Sequence, residues 1–133
     1  MATHDDVRRV ARTLPGTTES AEDARQFAVS VRSGARDRGF AWTWMERVEP
    51  KRPRVPNLEV LAVRVASLEE KDALLSMRRP ELFTEPHYHG YPAVLIRLAD
   101  IEADELEDLL IEAWRSVAPK RLVKAYDVVH PPA

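Results

Sequence analysis

Glu85, His87 and His89 stand at i, i+2 and i+4 in one short phrase of this 133-residue chain. On an extended segment that spacing turns all three side chains one way, and imidazole with carboxylate is a donor set suited to zinc or a similar divalent ion. Pro86 interrupts the alignment, and no fourth donor follows at a metal-binding spacing. The phrase therefore reads first as a rigid turn: Pro86, Gly90 and Pro92 shape it, and Phe83, Tyr88 and Tyr91 pin it to a core. A small-molecule or metal-binding role for His87 and His89 stays open beside that packing role, but neither a metal nor a cofactor is assigned.

The second group that could do chemistry is cationic. Arg36 and Arg38 fall in one predicted loop, residues 33–39, and Lys51, Arg52 and Arg54 in the next, residues 46–57. Residues 25–56 hold eight Lys/Arg against three Asp/Glu, a local +5, whereas residues 57–133 hold nine against fourteen, a local −5. The net charge of −2 opposes non-specific attraction to nucleic acid, so such binding has to come from one basic region of a polarised molecule. The five cations are the candidates for phosphate contact and duplex DNA is the candidate partner, with Trp42 or Trp44 stacking if exposed. A module that self-associates through an aromatic sheet face is a further alternative.

Other chemistries find no residues. The chain has no cysteine, which removes disulfides, thiolate metal sites and cysteine nucleophiles. It has no Gly-x-Ser-x-Gly elbow, and its four glycines form no phosphate-cradling loop. The carboxylates crowding residues 102–108 belong to a solvated helix start, where the helix dipole favours them, and nothing there splits their pKa values. No catalytic residue is assigned, and a non-enzymatic protein is expected.

The elements that must position these groups follow from periodicity. Thr3 caps a first helix that buries Val7, Val10, Ala11 and Leu14 and stops at Pro15 and Gly16. Residues 17–24 are polar and read as a short helical turn. A strand over 26–31 turns Phe27, Val29 and Val31 inward, and a second over 40–45 puts Phe40, Trp42 and Trp44 on one face, with burial favoured over binding. Pro50, Pro53 and Pro56 stiffen the long loop, and residues 58–65 form a strand that is apolar on both faces. Ser67 and Glu70 make a capping box for a helix reaching about Arg78 and burying Leu68, Leu74 and Leu75. Residues 93–98 form another two-faced strand, with Arg97 the exception. Leu106, Leu109, Leu110, Ala113, Trp114 and Val117 draw the stripe of a long helix, and residues 120–124 a short turn. One α+β domain results, two layers with helices on one face of a mainly antiparallel sheet. No apolar run is long enough to span a bilayer and no leader is evident, so a soluble, cytoplasmic protein is expected.

Leu14-Pro-Gly16, Gly39-Phe-Ala41, Glu81-Leu-Phe83, His87-Tyr-His-Gly90 and the strand Pro92 to Leu98 occur in an order and spacing that resemble the MmcQ/YjbR-like family. Glu105-Leu106, Glu112-Ala-Trp114 and Ala118-Pro-Lys120 extend the resemblance over nearly the whole chain. It implies a compact double-wing sheet and a bacterial protein, and it carries a DNA-binding label grounded in fold analogy. Many members place a lysine two residues before the phenylalanine of the second strand, where this chain has Arg38.

Overall fold

The structure, a computed structural model, describes residues 1–23, 26–47 and 49–131, with 21–23, 26 and 27 described by backbone alone. Among these residues six strands form one antiparallel sheet in the order β1-β2-β3-β4-β6-β5: β1 Thr17–Asp23, β2 Gln26–Ser33, β3 Arg36–Glu46, β4 Val55–Arg64, β5 Leu82–Phe83 and β6 Ala93–Arg97. Among the described residues four helices join them: α1 His4–Ala11, α2 Leu68–Ser76, α3 Ala103–Val117 and α4 Lys120–Val129. No helix among the described residues is long and apolar enough to cross a membrane.

α1 begins in a reciprocal cap, in which Thr3 Oγ1 accepts from the Asp6 N–H and the Asp6 carboxylate accepts from the Thr3 N–H at 2.9 Å. Its Val7, Val10 and Ala11 pack with the α3 stripe of Leu106, Leu110, Ala113 and Trp114 on Val29, Val31, Phe40, Leu61, Val63, Val94 and Ile96 of the sheet. This is the main core, and α1 and α3 form the helical layer. Gly16 supplies the turn out of α1 at φ +72, where a Cβ would lie 2.7 Å from Leu122 Cδ1, so both the conformation and the close approach call for glycine.

Four expectations give way. Residues 17–23 are a strand, not a helical turn: Thr17 pairs with Val31 and Glu19 with Val29, so backbone pairing to β2 holds a segment whose own side chains are polar. Residues 120–124 are the start of the ten-residue α4, which Arg115 ties to α3 through Asp127 at 2.6 Å. In α2 the buried side chain is Lys71, while Leu68 is exposed and Leu74 and Leu75 are half-buried. Ser67 does cap this helix, accepting from the Glu70 N–H.

The fourth concerns the aromatic strand. Val29 pairs with Ala41 and Ser30 with Gly39, which leaves Phe40 as an extra residue in a β-bulge. Phe40 therefore joins the helix-side core, fully buried, while Trp42 and Trp44 lie on the opposite face. The Phe27 side chain, expected beside Val29, lies outside the described residues. β4 and β6 are central and two-faced as read: Val63 and Ile96 face the helices, Ala62 and Leu95 the other side.

Candidate functional site: the outer face of the sheet and its two basic ends

Trp42 and Trp44 are covered by the loop that precedes β6 rather than by helices. Trp44, Val60, Ala62 and Leu95 make a second, smaller core on this face, and Trp42, Phe83 and Tyr88 pack around it. The Trp42 indole N–H donates to the Tyr88 hydroxyl at 2.6 Å, Trp44 meets Tyr88 edge-on at 5.0 Å, and Tyr88 stacks on Tyr91 at 5.4 Å. Trp44, at 5 % exposure, offers no surface for stacking, whereas Trp42 is half-buried and Tyr91 exposed.

That loop does not run extended. Pro86–Tyr88 is a 3-10 turn, which breaks the i, i+2, i+4 alignment of Glu85, His87 and His89. Glu85 and His87 border one small cleft with Trp44, Glu46, Arg47 and Arg54; His89 is not among the residues lining it. No group of three His, Asp or Glu side chains with metal-binding geometry exists among the described residues.

Lys71 holds the loop down. Its ammonium, carried on α2, donates to the Tyr88 carbonyl at 2.5 Å and the Tyr91 carbonyl at 2.9 Å, with only 4 % of the residue exposed. Burial lowers its pKa from the ordinary 10.5, and adjacent Asp72 pulls it partly back up. Between the depressed native value and 10.5 the unfolded chain binds the extra proton, so this group makes stability rise with pH across that window. Tyr88, pushed above its ordinary 10.0 by burial, acts the other way only above that value. Urea midpoints taken from neutral pH up to about pH 10 should therefore climb less in Lys71→Met than in the parent; an equal climb in both would assign the effect elsewhere.

The five candidate phosphate contacts fall into two sets at opposite ends of β3. Arg36 and Arg38 open the strand beside the turn at Gly34 and Ala35, both exposed. Lys51, Arg52 and Arg54 lie beyond its far end, in the turn before Val55. Consecutive hairpins of an antiparallel meander must point opposite ways, so the two loops do not leave one edge together. Arg47 braces the far turn, donating to the carbonyls of Pro50 and Arg52 at 3.2 and 3.0 Å. Lys51 and Arg52 project from it, Arg52 beside Glu49 at 3.5 Å. Arg54 is more committed, donating to the Met45 carbonyl at 2.9 Å with its guanidinium 5.5 Å from the Trp44 ring centre.

Residues 36–39 border a second, larger cleft of about 470 Å³ with Trp42, Arg64 and Tyr91. Arg64 and Tyr91 carry no strong signal in sequence: the first is one charge ending an apolar strand, the second one more loop aromatic. Arg78 and Arg79 follow α2 and belong to neither basic end. Arg78 leaves the helix at φ +53, and Arg79 bridges Glu81 and Glu105, tying the β5 edge to α3.

No family model matches the chain. The uncharacterised proteins Rv2570 and MT2646 of Mycobacterium tuberculosis and Mb2600 of Mycobacterium bovis are each 40% identical to it over 126 residues, covering 95% of this chain and 96% of theirs. The crystal structure of Deinococcus radiodurans protein DR2400, with a DUF419 domain, matches 97% of this chain and 88% of that chain at a TM-score of 0.66 and 22% identity. That likeness shows a shared α+β fold.

Proposed function

This chain belongs to one family with those mycobacterial proteins, and from that premise we propose that it is, more narrowly, a cytoplasmic MmcQ/YjbR-like protein that binds duplex DNA without catalysing a reaction on it. Lys51 and Arg52 contact phosphate from one end of β3 and Arg36 and Arg38 from the other, with Arg54 adding charge behind Lys51 and Arg52.

The observation that carries the reading is the separation of the two basic ends. Ten strand steps from Arg36 to Glu46, one of them taken up by the bulge at Phe40, cover roughly 30 Å at the rise of a β-strand. That is close to the ~34 Å of one duplex turn. Phosphates one turn apart on one side of the helix would then meet both wings of the sheet. Contacts of this kind position a protein without reading bases, which suits a face on which Trp44 is packed away.

Fluorescence anisotropy of a labelled duplex spanning about two turns, at low and then moderate salt, tests the reading. Binding is expected at low salt, weakened by Arg36→Ala with Arg38→Ala and separately by Lys51→Ala with Arg52→Ala. Failure to bind at low salt, or binding indifferent to both double variants, would remove duplex DNA as the partner.

A further inference from the structure

We propose that the cleft at the start of β3 is a binding site for a nucleoside phosphate, its phosphate held by Arg36, Arg38 and Arg64 and its base against Tyr91 and Trp42. The proposal goes beyond duplex binding, although it shares Arg36 and Arg38 with it.

The cleft exists because β3 outruns its partner. The last pair towards β4 is Ala41 with Val63, and β4 ends at Arg64, so residues 36–39 pair only with β2. Register sets Arg36 and Arg38 on the pleat side of Val31, which is opposite Ala28, the pairing partner of Trp42. The cleft therefore takes in both sides of a strand edge. Trp42, Tyr91 and Arg64 border it from the outer face, Arg64 two positions beyond the outward Ala62.

Charge separates this cleft from the smaller one at the other end. Three arginines, Arg36 and Arg38 on the strand edge and Arg64 on the outer face, are among its lining residues against one acidic residue, Asp37, whose carboxylate already lies 3.5 Å from Arg32. In the smaller cleft, Arg47 and Arg54 are spent on backbone carbonyls, Glu46 accepts from Asn57, and Glu85 balances the remaining charge. An excess of arginine forks around an open space is suited to phosphate, which accepts from several of them at once. The volume of about 470 Å³ lies in the range of small-ligand sites. The ring wall narrows the ligand further. Tyr91 is 40 % exposed, its ring 6.0 Å from the Arg64 guanidinium, and Trp42 is half-buried beside it. A planar base beside such a wall buries apolar area that inorganic phosphate cannot supply. Free nucleotide and the 5′-phosphorylated end of a strand share this chemistry.

Tryptophan fluorescence reads the site, because Trp42 borders it while Trp114 is sealed in the main core. AMP, inorganic phosphate, and a short single strand with and without its 5′-phosphate are titrated into the full chain. Saturable binding is expected for AMP or for the phosphorylated strand, whichever binds more tightly identifying the source. Inorganic phosphate and the unphosphorylated strand should bind more weakly. Arg64→Ala should weaken the preferred ligand roughly tenfold or more, and Arg36→Ala, at an exposed position, should do the same. Arg64→Ala should leave duplex binding intact, and Lys51→Ala with Arg52→Ala should leave nucleotide binding intact, so the two readings fail separately. No saturable binding of either phosphorylated probe, equal affinity for inorganic phosphate, or affinity unchanged in both arginine variants would overturn the site.

Discussion

Trp114→Ala is expected to lower the free energy of unfolding by about 3–5 kcal/mol, the cost of emptying a tryptophan-sized volume in a packed core. The indole is fully buried on α3, stands 5.3 Å from the Tyr126 ring of α4, and donates its N–H to the Pro15 carbonyl at 3.1 Å. It thus ties the end of α1 and both later helices to one side chain. Removing it opens a cavity under all three and leaves the Pro15 carbonyl without that donor. The melting temperature should fall by roughly 10–20 °C for a domain of this size. Trp114→Phe separates the contributions: the ring remains, the donor is lost, and the cost should be about 1–3 kcal/mol. Calorimetry of the two variants decides. A loss in Trp114→Ala no larger than that in Trp114→Phe would mean that the core closes over the missing ring.

That residue was legible in sequence because α3 is governed by one period. Leu106, Leu110, Ala113, Trp114 and Val117 repeat at helical spacing, and each is buried. Where the period is interrupted, legibility ends. The alternation of Phe40, Trp42 and Trp44 reads as one face, but the bulge opposite Val29 and Ser30 moves Phe40 to the other side. β1 carries Thr, Glu, Ser and Asp and has no apolar alternation to announce it; pairing with β2 makes it a strand. Lys71 shows the same limit at the candidate site. A lysine in an amphipathic helix is ordinarily solvated, and only the carbonyls of Tyr88 and Tyr91, brought in by the tertiary fold, give its ammonium a buried place. The five basic residues were legible as types, their division between two ends was not drawn from the hairpin order, and Arg64 and Tyr91 gained meaning only once β4 was seen to stop short of β3.

If the two ends of β3 grip one duplex, affinity should depend on salt and on length together. Four phosphate contacts, from Arg36, Arg38, Lys51 and Arg52, predict a slope of log K against log salt of about −3.6, so that raising salt from about 50 to 200 mM weakens binding roughly 150-fold. Removing Lys51 and Arg52 should lower that slope by about 1.8, and removing Arg36 and Arg38 by a similar amount. Length supplies the independent check. A duplex of about half a turn can reach only one end, so it should bind with the shallow slope of a single set and gain little from the other set's arginines. A two-turn duplex should show the full slope. The remainder of the chain, with its net −5 over residues 57–133, sharpens the contrast, because its summed charge repels DNA at long range. A slope that stays the same for half-turn and two-turn duplexes would show that one end acts alone and that the span of β3 plays no part in recognition.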